Sequence, residues 1–542
     1  MGINIFLSVY PEKIDSGDWQ IVYAETLQLL NACGVAGLKR DKINLNGDVF
    51  ERTIYTKSLE RKIEFQSDRH WHANGIMGDY EFGESFNLYK NIRRYGEFHT
   101  EPYVDILVDK INDYKDYGGI KHRDFFDEKT QGRSYHIPIL ACAMLVEACF
   151  PMWAMVSGDI DMYQAEEARQ LIKEHLGKEI SLPVCVDKIN LLGRLSKYYR
   201  GPELLDCFYQ LLQVDRGRDR GETLKFLFDR CERGEVEQWF SENLKTYQSA
   251  GQFGAIDLMT DWFNADQELS MLIQIACLQE NGACFNSLDF ARGLAATWIS
   301  IPKELVEQLE ILQLPKGQSH GLSSLFGNVF LDMSGGKGRN IRSYIAESEV
   351  LSIFETFFPD NKEIQAEYTK KTKKLIESLD LESQGFDFKA LMEKCSNADD
   401  QFRVDGEAFF MLNSEVDLTT GHEMVLTAIA RKVHKYNDGD SEKKEILTDT
   451  INGLKKMIIK ISDKYGPVCT EKAWEWIDVE TDRELLGCLL ILTILKGNQR
   501  DYVAAKQAIF EKRWLACKVM SLSKDENAIA EFENFFGERI PK

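Results

Sequence analysis

The sequence predicts a mainly α-helical protein with a smaller α+β domain at its N-terminus. Two patterns carry this prediction. Before residue 95, aromatic and apolar residues alternate as they do in strands. After residue 135, apolar residues recur at helical spacing and strand signals are sparse. The 542 residues, 44% of them hydrophobic, are enough for more than one domain with a buried core. We therefore expect a helical bundle or an irregular helical array after the α+β domain.

The first domain is predicted to cover residues 1–125. A strand at 4–10 is followed by a helix at 19–30, which Asp15, Ser16, Gly17 and Asp18 open. Further strands of a mainly antiparallel sheet are predicted at 49–55, 62–65 and 80–88. A helix leading out of the domain is predicted at 103–114. Residues 116–133 are polar and contain glycine, so we expect a linker or surface loop there.

A helical domain is predicted over 126–313, built around a buried helix at 137–156. In that stretch only Glu147 is charged, and Pro138 and Pro151 are the only helix breakers. Twenty residues would just cross a bilayer, but a central glutamate and Pro151 are costly in lipid. A helix that is apolar on all sides is buried on all sides, so other helices should surround it.

The next helix shows a clear start signal. Asp161 is followed three residues later by Gln164, which is the spacing of a capping box. We expect this helix to run over 162–175 and to stop near Gly177. An alternative stays open at this point, because Asp159 and Asp161 are also a pair suited to metal binding or acid–base chemistry.

The remaining chain is divided by a break in the helical pattern. Residues 314–360 are predicted to form a segment that is rich in Gly and Ser, followed by a helix. Residues 361–542 are predicted to form a helical C-terminal domain. No period of 30 to 45 residues indicates a repeat protein.

Charge and cysteine usage limit the classes of function. The formal net charge is −21, which disfavours nucleic acid and anionic membranes as partners and favours a protein partner with a basic face. The 12 cysteines form no C-x-x-C pair and lie mostly among apolar neighbours. This pattern indicates a reducing cytoplasmic location and no disulfide framework.

The first candidate site is the pair His70 and His72. Residues two apart on a strand point to the same face, and two imidazoles at this spacing can bind one metal ion. Asp68 or His99 would complete such a set. The alternative is that these are ordinary surface or sheet-packing histidines.

The second candidate site is a glycine loop placed between a predicted strand and a helix start. Bare backbone amides and basic side chains at such a place can cradle an anion. Its residues are Ser334, Gly335, Gly336, Lys337, Arg339 and Arg342. The loop does not match the phosphate-binding or dinucleotide-binding motifs, and its alternative is a basic surface loop.

Catalytic residues are not indicated, since H-E-x-x-H does not occur. Catalysis by a cysteine with a distant histidine stays open. Two classes of function follow. The first is a cytoplasmic, non-enzymatic binding or regulatory protein that acts through protein–protein contacts, for instance an immunity or defence component. The alternative is an enzyme that acts on a phosphate-bearing ligand at the glycine loop, residues 328–342. No cofactor is indicated.

Overall fold

The structure is a computed structural model of the 542-residue chain. It describes residues 3–45, 47–62, 68–76, 83–96, 104–114, 122–213, 220–302, 341–385, 408–437, 450–465, 469–495 and 500–537.

The strands of the N-terminal part form three small antiparallel sheets, with orders β8–β1–β9, β3–β2–β6 and β4–β5–β7. Their bounds are β1 Ile5–Val9, β2 Val35–Leu45, β3 Asp48–Thr56, β4 Glu60–Lys62, β5 Arg69–Ala73, β6 Gly75–Ile76, β7 Phe86–Tyr89, β8 Arg123–Phe126 and β9 Ala154–Gly158.

Helices make up most of the rest, which confirms the predicted mainly α class with an N-terminal α+β part. Their bounds are α1 Ser16–Ala32, α2 Ile106–Tyr114, α3 His136–Cys149, α4 Met162–Leu176, α5 Lys188–Leu195, α6 Gly201–Leu211, α7 Arg220–Arg230, α8 Arg233–Leu244, α9 Phe253–Asn264, α10 Leu269–Ile273, α11 Ser287–Ala296, α12 Glu347–Phe357, α13 Lys362–Gly385, α14 Ala408–Met411, α15 Thr420–Asn437, α16 Ile451–Tyr465, α17 Glu471–Ile477, α18 Arg483–Ile494, α19 Arg500–Glu511, α20 Arg513–Ser523 and α21 Glu526–Gly537. No helix in the described ranges is both long enough and apolar enough to cross a membrane.

The chain forms two compact units that are not continuous in sequence. The first contains residues 1–109, 119–183 and 397–542, and the second contains 110–118 and 184–396. The domain boundaries predicted at 125, 313 and 360 stay predictions.

The core of the first unit begins with helix α1. Asp15 caps this helix by accepting hydrogen bonds from the backbone amides of Gly17 and Asp18, as its sequence predicts. The indole of Trp71 on β5 donates to Thr26 Oγ1 of α1 over 3.0 Å. Its ring lies 5.8 Å from that of Phe126 on β8, so the aromatic residues join α1 to two of the sheets.

Helix α3 is buried along nearly its whole length, as its composition predicts. It is shorter than predicted, because it ends at Cys149 and residues Ala154–Gly158 form strand β9. Pro151 lacks the amide that a continuing helix needs. Glu147 of α3 accepts a hydrogen bond from the backbone amide of Val156 over 2.6 Å. This hydrogen bond links α3 to β9.

Strand β8 also departs from the prediction. It lies at Arg123–Phe126, inside the stretch expected to be a linker or loop, so that expectation was wrong there. Its strand character comes from pairing with β1, a contact between residues more than a hundred positions apart.

Helix α4 confirms the predicted capping box. The Asp161 carboxylate accepts from the Gln164 amide over 2.8 Å, and the Gln164 side chain accepts from the Asp161 amide over 3.1 Å. Gly177 ends the helix with a φ of 65°, a left-handed conformation that glycine adopts without steric cost.

The hairpin of β2 and β3 belongs to the core of the C-terminal helices in the first unit. Leu45 and Ile54 are buried in one cluster with side chains of α15 to α20. The backbone amide of Tyr55 donates to the carbonyl of Cys469 over 3.1 Å. The N-terminal hairpin and the C-terminal helices therefore share one hydrophobic core.

The second unit is helical in its described residues. Helix α6 packs on α8, α7 on α9, and α11 on α13. Tyr209 stacks on Trp239 with ring centroids 4.5 Å apart, and Trp239 donates to Asp206 over 2.7 Å. Arg220 pairs with Asp261 over 2.9 Å. These contacts are typical of short helices that pack on one another.

Candidate functional site

Sheet β4–β5–β7 brings five polar and aromatic side chains to one face. In its register, Arg61 lies opposite His70, which in turn lies opposite Tyr89, while His72 lies opposite Asn87. Directly opposed residues in a sheet share a face. We call Arg61, His70, His72, Asn87 and Tyr89 the polar face. The prediction that the two histidines lie on one strand face is confirmed.

The other face of the same sheet holds the polar face in position. It carries Trp71, which is buried and donates to α1. Glu60 accepts a hydrogen bond from the Tyr23 hydroxyl over 3.3 Å and pairs with Arg69 over 2.6 Å. The side chains of the polar face are therefore presented by strands that α1 fixes from behind.

Gly37 of β2 makes room for two of these side chains. A methyl group at Gly37 would lie 3.2 Å from Arg61 Nη2, 3.1 Å from His72 Cδ2 and 2.4 Å from the His72 carbonyl oxygen. The last contact is with backbone and cannot be relieved by a side-chain rotation. The absence of a side chain at this position lets Arg61 and His72 pack against β2.

His72 is a neutral imidazole whose Nδ1 has a hydrogen-bond partner. Its Nδ1 lies 2.8 Å from Asn87 Oδ1, and an amide oxygen only accepts, so Nδ1 carries the hydrogen and Nε2 carries the lone pair. Burial, together with the positive charge of Arg61, lowers the pKa of His72 to about 4. The ring is therefore uncharged at pH 7.

His70 is in a similar environment. Its ring lies 5.5 Å from that of Tyr89, and its buried Nδ1 has no hydrogen-bond partner among the described residues. Burial lowers the pKa of His70, and Arg61 lowers it as well, while Asp68 acts in the opposite direction.

The guanidinium of Arg61 contains buried hydrogen-bond donors. Its Nε and Nη2 are buried, and neither has a hydrogen-bond partner in the part of the chain that the structure describes. Burial also lowers the pKa of this guanidinium. Nε and Nη2 form one side of the planar fork, which binds a carboxylate or phosphate through two parallel hydrogen bonds. We call these two atoms the open edge of Arg61.

The neighbouring charges are compensated. The Arg94 guanidinium lies over the Tyr89 ring at 5.4 Å, and its Nε is 3.6 Å from Asp68 Oδ2. The open edge therefore belongs to a cation without an ion-pair partner among the described residues, beside two uncharged imidazoles.

The metal hypothesis for His70 and His72 stays a prediction. Among the described residues, no group of three or more His, Cys, Asp or Glu side chains is placed to hold a metal ion. His99 lies outside those residues. The positive charge of Arg61 beside both rings disfavours a cation there by repulsion.

Most of the glycine loop, Ser334, Gly335, Gly336, Lys337 and Arg339, lies outside the described residues. Arg342 is described and pairs with Glu222, while its backbone amide donates to Asn264 Oδ1 over 2.7 Å. The anion site predicted for this loop stays a prediction.

The pair Asp159 and Asp161 has a structural role. Asp159 accepts hydrogen bonds from the backbone amide of Asn4 over 3.0 Å and from its side chain over 3.1 Å. Asp161 caps α4. Both carboxylates hold local structure, as the capping interpretation expects.

The thiols show no sign of activation. The eleven cysteines in the described ranges are free. Burial raises the pKa of those for which a shift is resolved, which are Cys33, Cys142, Cys149, Cys231, Cys277, Cys469 and Cys488. A raised pKa leaves these side chains as thiols at pH 7, and the thiol is the unreactive form.

Comparison of the chain with models of known protein families, with curated proteins and with solved structures found no significant match.

Proposed function

We propose that this chain is a cytoplasmic, non-enzymatic binding or regulatory protein that acts through protein–protein contacts, and that the polar face is where an acidic group of the partner binds. The observation that carries the proposal is the open edge of Arg61. Burying donors of a charged group without a partner costs folding free energy. A bound anion would satisfy both donors at once.

The chemistry of the face favours binding over catalysis. A general base works best with a pKa near the working pH, whereas His72 has a pKa of about 4 and is a weak base. The cysteines with resolved shifts are stabilised as thiols by burial. The face thus offers fixed donors and acceptors, which is what recognition requires.

The overall charge and the local charge act at different ranges. A net charge of −21 attracts a partner with a basic face from a distance. The open edge then takes one acidic group of that partner at contact. An immunity or defence protein that neutralises a basic protein is one setting for this combination.

The proposal is tested by capture of partners from the native cell with the parent protein and with Arg61→Gln. Lys62→Gln is the matched control, because it removes the same charge from the neighbouring, exposed position of β4. A charge-assisted bidentate pair contributes about 1.5–3 kcal/mol, so partner affinity should fall about tenfold to a hundredfold in Arg61→Gln alone. Equal affinity in both variants would contradict the proposal.

The role of net charge has its own test. The association rate of the partner should fall as ionic strength rises from 0.1 M to 1 M, where the Debye length shrinks from about 10 Å to about 3 Å. A rate that stays flat would mean that the acidity does not steer the partner.

The alternative, an enzyme acting on a phosphate-bearing ligand at residues 328–342, stays a prediction. It expects a nucleotide or phosphate to raise the thermal midpoint of the parent, and the double change Lys337→Ala with Arg339→Ala to abolish the rise. If no nucleotide shifts the parent, this alternative loses its support.

A further inference from the structure

We infer that Cys277 and Cys284 are a redox-active thiol pair, which hydrogen peroxide converts into a disulfide. The inference does not depend on the proposed function. It concerns the second unit, where helix α10 continues into a short π-helix, Gln274–Leu278, and the loop 279–286 leads on to α11. One cysteine lies on the π-helix and the other lies on the loop. Short π-helices are frequent at functional sites.

The backbone of the loop returns to the end of the π-helix. The amide of Ala283 donates to the carbonyl of Ile275 over 3.2 Å. The amide of Phe285 donates to the carbonyl of Ala276 over 2.8 Å. A methyl group on Gly282 would lie 2.1 Å from the carbonyl oxygen of Ile275, which is far inside van der Waals contact. The loop is therefore held against the helix end on both sides of its cysteine.

The hydrogen bond from Phe285 to Ala276 brings the two cysteines close together. Cys277 directly follows the residue that accepts, and Cys284 directly precedes the residue that donates. In a regular antiparallel pair, two residues in these positions lie directly opposite each other, with Cα atoms about 4.5 Å apart. A disulfide joins residues whose Cα atoms are about 4.4–6.8 Å apart. The backbone therefore holds the two cysteines at a spacing that a disulfide can bridge.

The side chain of Cys284 is directed back toward the helix end. Its Sγ donates to the carbonyl of Gln279 over 3.5 Å, and Gln279 directly follows the π-helix that carries Cys277. Burial, together with Asp289 and the neighbouring Cys284, raises the pKa of Cys277 to about 12. The two sulfur atoms are thus near enough for the charge of one to act on the other.

The different exposure of the two thiols sets the order of the chemistry. Cys284 is exposed, whereas Cys277 is partly buried, so peroxide reaches Cys284 first. The Cys284 sulfur attacks a peroxide oxygen, the O–O bond breaks, and the leaving oxygen departs as water with the thiol proton. The Cys277 sulfur then attacks the sulfenic sulfur, the S–S bond forms, and the S–O bond breaks to release a second water. The two thiols lose two electrons, which the peroxide accepts.

The backbone of Cys284 favours a bond that is easily reduced again. Its φ is 52°, in the left-handed region that residues with a side chain rarely adopt. Strained or exposed disulfides are the ones that thiols reduce readily. In a reducing compartment such bonds are transient and serve in redox sensing. The pair is therefore suited to a switch that peroxide sets and a cellular thiol resets.

Oxidation of the folded full chain by hydrogen peroxide tests the inference. Catalase then removes the peroxide, and N-ethylmaleimide blocks the remaining thiols as the chain is denatured. Trypsin releases residues 246–292, whose only cysteines are these two. Glu280 lies between the cysteines, so a second cleavage after glutamate separates them into two fragments. We expect these fragments to stay joined in mass spectra of the oxidised parent and to separate on reduction.

Each cysteine variant has its own expected product. In Cys277→Ser, Cys284 should accumulate as the sulfenic acid, which dimedone labels. In Cys284→Ser, Cys277 should remain a thiol at a peroxide dose that oxidises the parent. Cys149→Ser is the control, because Cys149 is also an exposed cysteine. This variant should form the Cys277–Cys284 disulfide as the parent does.

Gly282→Ala tests the geometry of the pair. The new methyl group must push the loop away from the carbonyl of Ile275, so the disulfide should form several-fold more slowly while Cys284 is oxidised at the parent's rate. Gly234→Ala is the matched control in the same unit, because a methyl group there meets open space. Circular dichroism and thermal midpoints establish that each variant is folded.

Two results would overturn the inference. The first is separation of the two fragments without reduction, whether or not Cys284 has been oxidised. The second is disulfide formation at the parent's rate in Gly282→Ala, because the bond would then not depend on where the fold places the loop. Neither result touches the proposed function, since the polar face contains neither cysteine.

Discussion

Two arginines on the N-terminal strands have opposite surroundings. Arg52 of β3 pairs with Asp41 over 3.0 Å and with Asp478 over 2.7 Å, and its guanidinium lies 4.4 Å from the ring centre of Trp474. Arg61 of β4 presents its open edge, which no described residue satisfies. One guanidinium has its charge compensated twice within the chain, and the other has no such compensation among the described residues.

Under the proposed function, this difference separates an arginine that stabilises the fold from an arginine that binds a partner. Arg52 joins the hairpin to helix α17, so its carboxylates and its aromatic partner are internal to the fold. Arg61 lies on strands that the fold already fixes through Trp71 and Glu60. Within the described ranges Arg61 forms no ion pair, and under the proposed function a partner supplies the anion.

The largest expected effect concerns Arg52. Arg52→Met should lower the free energy of unfolding by about 2–4 kcal/mol, because it breaks two ion pairs and leaves two carboxylates without their cation. Denaturant unfolding measures this, with Lys39→Met at an exposed position of β2 as the control. A loss below about 0.5 kcal/mol would show that the ion pairs of Arg52 do not stabilise the fold.

The next effect concerns the room that Arg61 needs. Gly37→Ala should destabilise the protein by about 1–3 kcal/mol, because the new methyl group meets the His72 carbonyl and must displace backbone. Gly193→Ala is the control, since a methyl group there meets open space in the helix α5. Equal stability of the two variants would mean that β2 does not confine Arg61 and His72.

A smaller effect is the pH dependence of stability due to His72. The folded pKa is about 4, below the ordinary value of 6.5, so below pH 6.5 the unfolded chain takes up a proton that the folded chain does not. The contribution of His72 to the free energy of unfolding is fully present above pH 6.5 and is lost as the pH falls toward 4. His72→Gln should reduce the loss between pH 7 and pH 5 by about 1–2 kcal/mol. His136, whose pKa burial also lowers to about 4, maintains a residual slope in the variant.

The smallest effect is the sharpest test of the comparison. Arg61→Met should leave the free energy of unfolding unchanged or raise it by up to about 1 kcal/mol, because it removes a partly buried charge that has no compensating ion pair. The same denaturant titration as for Arg52→Met measures it. A loss of about 2 kcal/mol or more would show that Arg61 has a structural partner, and the proposed function would lose its basis.

Local signals in the sequence predict much of the fold. Asp161, Gln164 and Gly177 specify both ends of α4 through hydrogen bonds within one turn, and Asp15 does the same for the start of α1. Alternation places His70 and His72 on one face. These features depend on neighbours within four residues, which one sequence displays directly.

Contacts between distant residues account for what the sequence does not predict. Strand β8 exists because it pairs with β1, and β9 interrupts the expected long helix for the same reason. Arg52 and Arg61 are both strand arginines within ten positions, and no local pattern distinguishes them. The difference lies in Asp478, which is more than 400 positions away from Arg52.

The shared core of the hairpin and the C-terminal helices also sets an order of events during synthesis. Strand β3 ends at Thr56, and Trp474 emerges from the ribosome roughly 420 residues later, which takes about 20–80 s at about 5–20 residues per second. Until the C-terminal helices are made, Leu45 and Ile54 lack the side chains that bury them, and Arg52 has Asp41 but not Asp478. A nascent chain of this protein therefore exposes a strand hairpin with an apolar face for most of its synthesis, and a chain truncated before the C-terminal helices lacks the side chains that cover that face.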